Sequence, residues 1–218
     1  ATYRTTVTEN TWFRRIVSSG TCTNTSEKIE VKVQQPIVNR ISGSQTLCVG
    51  AAIAELGTEE LTGGNGDYSY TWEMSTSGDE GSFVRAPGIS NSEKYQPSHI
   101  TKTTWFRRKV TAGACAAAYS NAVKVTFYQP IINQIASNQT ICQGQQANPL
   151  GSLTSVLGGD GNYKYQWQQS TDGVVFTDIV GENTAAYLPG ALAKRTWFRR
   201  VVTAGCTSES NVVEVDVL

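Results

Sequence analysis

Histidine and methionine are almost missing from this 218-residue sequence, at one residue each. With His99 alone, neither a His-rich metal set nor a relay of imidazoles can form. An excess of charge of one sign is missing too, since 18 Lys+Arg stand against 18 Asp+Glu. Neutralising a phosphate backbone takes clustered Lys and Arg, so nucleic acid is not an expected partner. No apolar run approaches the ~18–20 residues of a membrane span, and no membrane insertion is expected. The opening residues ATYRTTVTEN carry neither the charged n-region nor the apolar h-region of an export signal. Helical periodicity is lacking as well. AAIAELGTEEL is the one helix-like run, and its counterpart QQANPLGSLTSVL contains Pro149 and Gly151, so a strand with a loop is expected for both. A phosphate-binding glycine loop has no helix to precede.

What is present is repetition. The pentapeptide Thr-Trp-Phe-Arg-Arg stands at Thr11–Arg15, Thr104–Arg108 and Thr196–Arg200, at spacings of 93 and 92 residues. Each copy runs into a β-branched stretch, a small-residue turn with a cysteine (SSGTC, TAGAC, TAGC) and an alternating segment (KIEVKV, AVKVTF, VVEVDV). That reads as a strand, a hairpin loop and a second strand. The other half of the unit occurs twice, as SQTLCVG with GGNGDYSYTWEMS and as NQTICQG with GGDGNYKYQWQQS. Alternation sets Tyr68, Tyr70 and Trp72 on one face of a strand, and likewise Tyr163, Tyr165 and Trp167. The glycines before them supply positions with φ > 0, so each strand is expected to be central and entered through a tight hairpin.

About six to eight short strands per unit of ~92 residues is the pattern of an all-β, immunoglobulin-type antiparallel β-sandwich. The expected organisation is the C-terminal part of a first repeat at 1–34 and complete repeats at 36–128 and 130–218, with junctions at Pro36 and Pro130. Linkers this short predict repeats stacked end to end as a semi-rigid rod. Beginning with the last three strands of a unit marks the sequence as a piece of a longer polypeptide, whose open sheet edge could pair with another chain.

In Thr-Trp-Phe-Arg-Arg, alternation sends Trp105 and Arg107 to one face and Phe106 and Arg108 to the other. One face is core, so one arginine of each pair is covered. The expected arrangement is a structural ladder of guanidinium planes over rings, built from Trp72, Trp105, Arg107 and Arg108 and from Trp167, Trp197, Arg199 and Arg200. Each such contact is worth ~0.5–2 kcal/mol. The alternative is an exposed platform for acidic glycans. Asp67 and Asp160 sit on loop tips with Asn65 and Asn162 beside them. Calcium takes about six to eight oxygens, so a turn role is expected and no cofactor, with calcium at a junction near Glu59, Glu60, Asp79 or Glu80 left open. His99 has no counterpart in the next repeat and reads as a loop residue. Adjacent Glu59 and Glu60 point opposite ways on a strand, so no acid and base are set against one bond and no enzyme is expected. Asn24 and Asn138 stand in Asn-x-Ser/Thr sequons, read as chance matches.

The five cysteines fall at equivalent places, Cys22, Cys115 and Cys206 after the Thr-Trp-Phe-Arg-Arg strand and Cys48 and Cys142 in QTxCxG. Pairing within units, Cys48 with Cys115 and Cys142 with Cys206, is favoured and leaves Cys22 over. Joining Cys22 to Cys48 and Cys115 to Cys142 would make the chain fold back across the junction, because a disulfide needs Cα atoms within ~7 Å. If QTxCxG lies at the opposite end of the sandwich from the loop, the thiols stay apart or bridge neighbouring domains. No CxxC or His-rich spacing suggests a metal.

The succession of QTxCxG, GGxGxYxYxW, STDG and TxxxRRxVTxGxCxxxSNxVxV resembles the immunoglobulin-like repeats of giant surface adhesins of gliding Bacteroidota, typified by SprB and exported by type IX secretion. Here it is carried by Thr140–Gly144, Gly158–Trp167, Ser170–Gly173, Tyr187–Pro189 and Thr196–Val215, and by the matching stretch Thr46–Val125. The middle copy departs from it with STSGDEGS in place of STDG. The resemblance implies an extracellular, cell-surface location and a non-catalytic filament region for gliding motility and attachment. Its implied partners are neighbouring repeats, surface polysaccharide or substratum, and the gliding and secretion machinery. The rival reading is a carbohydrate-binding or spacer module of a secreted type IX enzyme. A sugar site would show aromatics in one unit and not the other, whereas these repeat in register.

Overall fold

A computed structural model describes residues 2–218. The alternating segments fold as strands, and the described residues contain no α-helix, only a 3₁₀ turn at Glu80–Ser82. The N-terminal partial repeat supplies β1 (Thr11–Phe13), β2 (Ile16–Ser19), β3 (Cys22–Thr25) and β4 (Ile29–Val31). The next repeat supplies β5 (Val38–Ser42), β6 (Gln45–Leu47), β7 (Gly57–Thr62), β8 (Ser69–Ser75), β9 (Val84–Arg85), β10 (Thr104–Thr111), β11 (Ala118–Tyr119) and β12 (Val123–Phe127). The last supplies β13 (Gln129–Ile132), β14 (Gln139–Ile141), β15 (Leu157–Gly159), β16 (Lys164–Ser170), β17 (Thr177–Asp178), β18 (Thr196–Ala204), β19 (Cys206–Glu209) and β20 (Val213–Val217). The described residues form two compact units. One holds the stretch ending at Gly43 with Glu55–Pro97 and Trp105–Val123; the other holds Ser44–Ala54, Ser98–Thr104 and Lys124–Leu218.

In the last repeat one sheet runs β14-β20-β18-β16-β17, with β19 also on β18, and β13 pairs with β15 in a second. The pairing of β14 with β20 is parallel, Gln139 to Val215 through Ile141 to Val217, and the rest is antiparallel. The preceding repeat follows the same path, β6-β12-β10-β8-β9 with β11 on β10, and β5 pairs with β7. Alternation then fills the space between the layers. Trp167, Phe198, Val213, Val215, Leu150 and Ile135 are buried together, and Trp72, Phe106, Val123, Val125, Leu56 and Ile41 are buried in the other copy. Tyr187 sits 5.7 Å from both the Trp167 and the Phe198 ring, a distance at which tilted rings attract.

The glycine turns are not hairpins. Because β7 pairs with β5 while β8 pairs with β9 and β10, GGNGD carries the chain from one sheet to the other. Its glycines are required by contact with the junction: a Cβ on Gly63 would stand 2.0 Å from the Pro36 carbonyl oxygen, and one on Gly158 2.1 Å from that of Pro130. The partial repeat keeps native register, with Trp12 opposite Glu30 as Trp197 is opposite Glu214. Its apolar face is open, however: Ile29 is 68% exposed where its counterpart Val213 is 1%.

Candidate functional site: a stapled junction and a buried arginine

Among the described residues one disulfide forms, joining Cys48 to Cys206 with Cα atoms 5.7 Å apart. This replaces both within-repeat bonds, and Cys22, Cys115 and Cys142 are free thiols. Strand direction explains the correction. Because β14 runs parallel to β20, Cys142 emerges at the C-terminal end of β20, where the Gln143 amide donates to Leu218 O. Cys206 follows β18, which runs antiparallel to β20, so it lies at the other end of the sandwich. Cys48 likewise emerges beside the end of β12, where the Tyr128 amide donates to Leu47 O. The chain turns there through Tyr128, Gln129 and Pro130, which with Cys48 and Cys206 line a cleft of about 250 Å³. Both bonded cysteines belong to the same compact unit.

Gly205 makes the approach of that hairpin feasible. It holds φ +66°, and a Cβ there would stand 2.8 Å from the Tyr128 ring. At the matching place in the preceding repeat, Cys115 has no sulfur partner. Its Sγ lies 3.4 Å from Gln35 O and 3.6 Å from Gln34 Oε1, and the Ala114 amide donates to that same Gln34 oxygen.

The Thr-Trp-Phe-Arg-Arg strands of the two complete repeats each have one buried arginine, whereas Arg14 and Arg15 of the partial repeat are both exposed. Arg108 and Arg200 are 0% exposed. Arg108 donates from Nε and Nη2 to Asn39 Oδ1 (3.1 and 2.8 Å) and from Nη1 to Thr58 Oγ1 (2.5 Å) and Glu93 O (2.7 Å). Asn39 Nδ2 in turn donates to Arg108 O and Ala118 O. Arg200 repeats the set with Asn133, Ser152 and Ala185 O. The Arg108 guanidinium lies 5.4 Å from the Tyr70 ring centroid and 5.8 Å from that of Trp72; that of Arg200 is 5.2 Å from Tyr165 and 5.7 Å from Trp167. Burial pushes both arginine pKa values down, but guanidinium stays charged in proteins. A buried cation is tolerated because its donors are met by aligned oxygens and its faces by rings. Among the described residues, no buried side-chain nitrogen or oxygen lacks a partner.

The other arginine of each pair lies on the outer face. Arg107 sits 4.3 Å from the Phe83 ring and 4.4 Å from the Tyr119 ring and bonds Glu73 at 2.7 Å. Arg199 lies 4.4 Å from the Phe176 ring and bonds Gln168 and Glu209. Trp105 and Trp197 share this outer face, and their rings support a turn glycine. A Cβ on Gly78 would stand 3.0 Å from Trp105, and one on Gly173 3.3 Å from Trp197. That contact gives STDG its purpose. Ser170 Oγ accepts from the Asp172 and Gly173 amides, while Asp172 Oδ1 accepts from those of Val174 and Val175. These bonds, led by the Val175 amide, hold the Asp172 carboxyl down to about 2. In STSGDEGS, Ser75 Oγ takes the same part toward Ser77 and Gly78.

The acidic loop tips also act as turns. Asn65 Oδ1 accepts from the Asp67 amide and Asp160 Oδ1 from that of Asn162. No group of three or more His, Cys, Asp and Glu among the described residues is arranged to hold a metal ion. Among the described residues, no helix is long and apolar enough to cross a membrane. His99 is exposed in a loop with φ 56°. Sequence reasoning missed Asn39 and Asn133, although the signal was there: PIVNRI and PIINQI each carry one asparagine next to apolar residues, in register between repeats.

Two sheets of this connectivity, twice over, define a tandem immunoglobulin-like β-sandwich protein. The three N-terminal domains of the bacteriophage RB49 Highly Immunogenic Outer Capsid protein (Hoc) share the fold, with TM-score 0.52 and 16% identity over 90% of this chain and 75% of that one. So do titin domains I67–I69 in an E-to-A mutated variant (TM-score 0.51, 8% identity, 96% of this chain and 75% of that one). Titin domains A168–A170 also share it (TM-score 0.50, 10% identity, the same coverages). No curated protein matches the sequence. Residues 37–129 and 132–218 each match one family, and the chain belongs to it: Domain of unknown function (DUF8696).

Proposed function

We propose that this chain is a non-catalytic repeat region of a large cell-surface adhesin filament, of the SprB-like kind that gliding Bacteroidota export by type IX secretion. The observation that carries the reading is the Cys48–Cys206 bond, which ties one repeat covalently to the next. A crosslink at a junction does nothing for a binding pocket, but it strengthens a polymer of modules under load, and an oxidising extracellular location lets it persist. Repetition adds reach and many weak contacts. A sugar-binding module is disfavoured because the aromatics repeat in register between the two complete repeats, and one of each set, Trp72 and Trp167, is fully buried in the core. The test is antibody against residues 36–218 applied to intact cells of a gliding strain that makes the polypeptide. Label that binds unpermeabilised cells and travels along them supports the proposal. Label recovered only in the medium with a secreted enzyme supports the spacer role, and label seen only after permeabilisation overturns both.

A further inference from the structure

The two complete repeats share a core but not an outer face. On the outer side of the sheet in the middle repeat, register sets Arg85, Glu73 and Arg107 in one row across β9, β8 and β10, and Thr71, Lys109 and Tyr119 in the next row across β8, β10 and β11. The last repeat holds Asp178, Gln168 and Arg199 in the first row and Gln166, Val201 and Glu209 in the second. The middle repeat thus carries three cations against one carboxylate, and the last repeat one cation against two carboxylates. Ion pairing uses only part of the positive charge. Glu73 Oε2 accepts from Arg107 Nε at 2.7 Å, and both side chains are largely covered. Arg85 is exposed and donates from Nε to Ser90 Oγ, while Lys109 Nζ lies 5.7 Å from the Tyr119 ring. Neither meets a carboxylate among the described residues. Beside Lys109 the Tyr119 ring is 49% exposed; at that place in the last repeat, Glu209 pairs with Arg199.

We infer that this face of the middle repeat binds an acidic polysaccharide, with carboxylate or sulfate groups on Arg85 and Lys109 and a sugar ring laid on Tyr119. Strands lie ~4.8 Å apart and alternate residues ~7 Å along a strand, so positions 85, 107 and 109 spread over roughly 10–12 Å. No single small anion reaches all three, whereas a polymer that repeats its charge does. Charge complementarity selects the acid, and the half-exposed ring selects the sugar, whose apolar C–H side a flat aromatic body covers. Arg107, held between the Phe83 and Tyr119 rings, fixes the position of that platform. The residues that distinguish the site are those the last repeat replaces: Arg85 by Asp178, Lys109 by Val201 and Tyr119 by Glu209. The inference deepens the adhesin reading by naming its ligand class and rests on it for where that ligand is met. Binding by the purified chain and labelling of intact cells are separate readouts, so a failure of one is told from a failure of the other.

The experiment titrates the purified chain at low salt with polygalacturonate, dextran sulfate and neutral dextran in a calorimeter. At least one acidic polymer should bind roughly tenfold or more above dextran and weaken as salt screens the charges, and the tighter of the two names the acid group. R85D/K109V/Y119E, which installs the residues of the last repeat, should lose roughly tenfold or more in affinity. The reverse exchange, D178R/V201K/E209Y, should give each chain a second site. Every exchange introduces a residue that the other repeat already holds at that place, so the fold is kept, which circular dichroism checks; if the first variant unfolds, the reverse exchange decides. A parent chain that binds none of the polymers, binds dextran as well as the acidic ones, or binds single-stranded DNA as tightly overturns the inference. A forward variant within about twofold of the parent, or a reverse exchange that adds no site, overturns it as well.

Discussion

Pulling the chain between its termini tests what the Cys48–Cys206 bond does mechanically. The bond has a sequence separation of 158 and holds Cα atoms 5.7 Å apart, so tension entering at residue 48 crosses to residue 206 through sulfur. Everything between is shielded from extension, including the buried cores around Trp72 and Trp167. Outside the loop only residues 1–48 and 206–218 can stretch. At ~3.4 Å per residue these release roughly 200 Å at full extension, whereas the 158 residues of the loop hold a further ~540 Å. Single-molecule force extension of the oxidised chain should therefore stop near the smaller length. C48S, or the parent chain in dithiothreitol, should add the larger one in unfolding steps. Equal total extension for oxidised parent and C48S would refute both the bond and its mechanical role.

Asn39→Leu strips Arg108 of two of its four hydrogen bonds and leaves a buried cation short of acceptors, so urea unfolding should show a loss of about 3–5 kcal/mol. Adding Arg108→Met should recover part of that loss, because both partners are then apolar; a single-variant loss under ~1 kcal/mol would refute the clasp. Gly158→Ala puts a Cβ 2.1 Å from Pro130 O and should cost more than ~3 kcal/mol by thermal melt, while Gly144→Ala, with open space at φ +81°, should cost only ~1–2. Asp172 has its carboxyl lowered from 3.8 to about 2, so its contribution is full above the unfolded value and fades as pH falls through about 2. The melting difference between parent and D172A should then hold steady at neutral pH and narrow below pH ~4; a constant difference down to pH 2 would contradict the assignment.

The sandwich was legible because its signals are local and doubled. Alternation in YSYTW and TWFRR marks strands, and register between copies marks the shared core around Trp72 and Trp167. What was not legible depends on pairing between distant segments. No residue near Gln45 announces that β6 lies parallel to β12, yet this direction decides which end of the sandwich Cys48 occupies and so which cysteine it meets. The glycine turns were misassigned for a related reason. φ > 0 is needed in a hairpin and in a corner between sheets alike, and only the contact of Gly63 with the Pro36 carbonyl tells them apart. Asn39 was readable in principle, as a polar residue kept at the same place beside apolar ones in both copies.

Two kinds of joining share the work in this chain. Within the middle repeat, the arginine clasp links the paired strands β5 and β7 to β10, and Arg200 does the same in the last repeat. That clasp is insensitive to redox state. The cysteine chemistry is set instead between residues of successive repeats, at Cys48 and Cys206. A reductant should therefore leave the individual cores folded while it frees the covalent path between repeats, and an oxidant should restore that path without refolding anything. A module needing a disulfide to fold could not separate these events. Keeping the core independent of sulfur lets the repeats fold first and be crosslinked afterwards, once an oxidant is met.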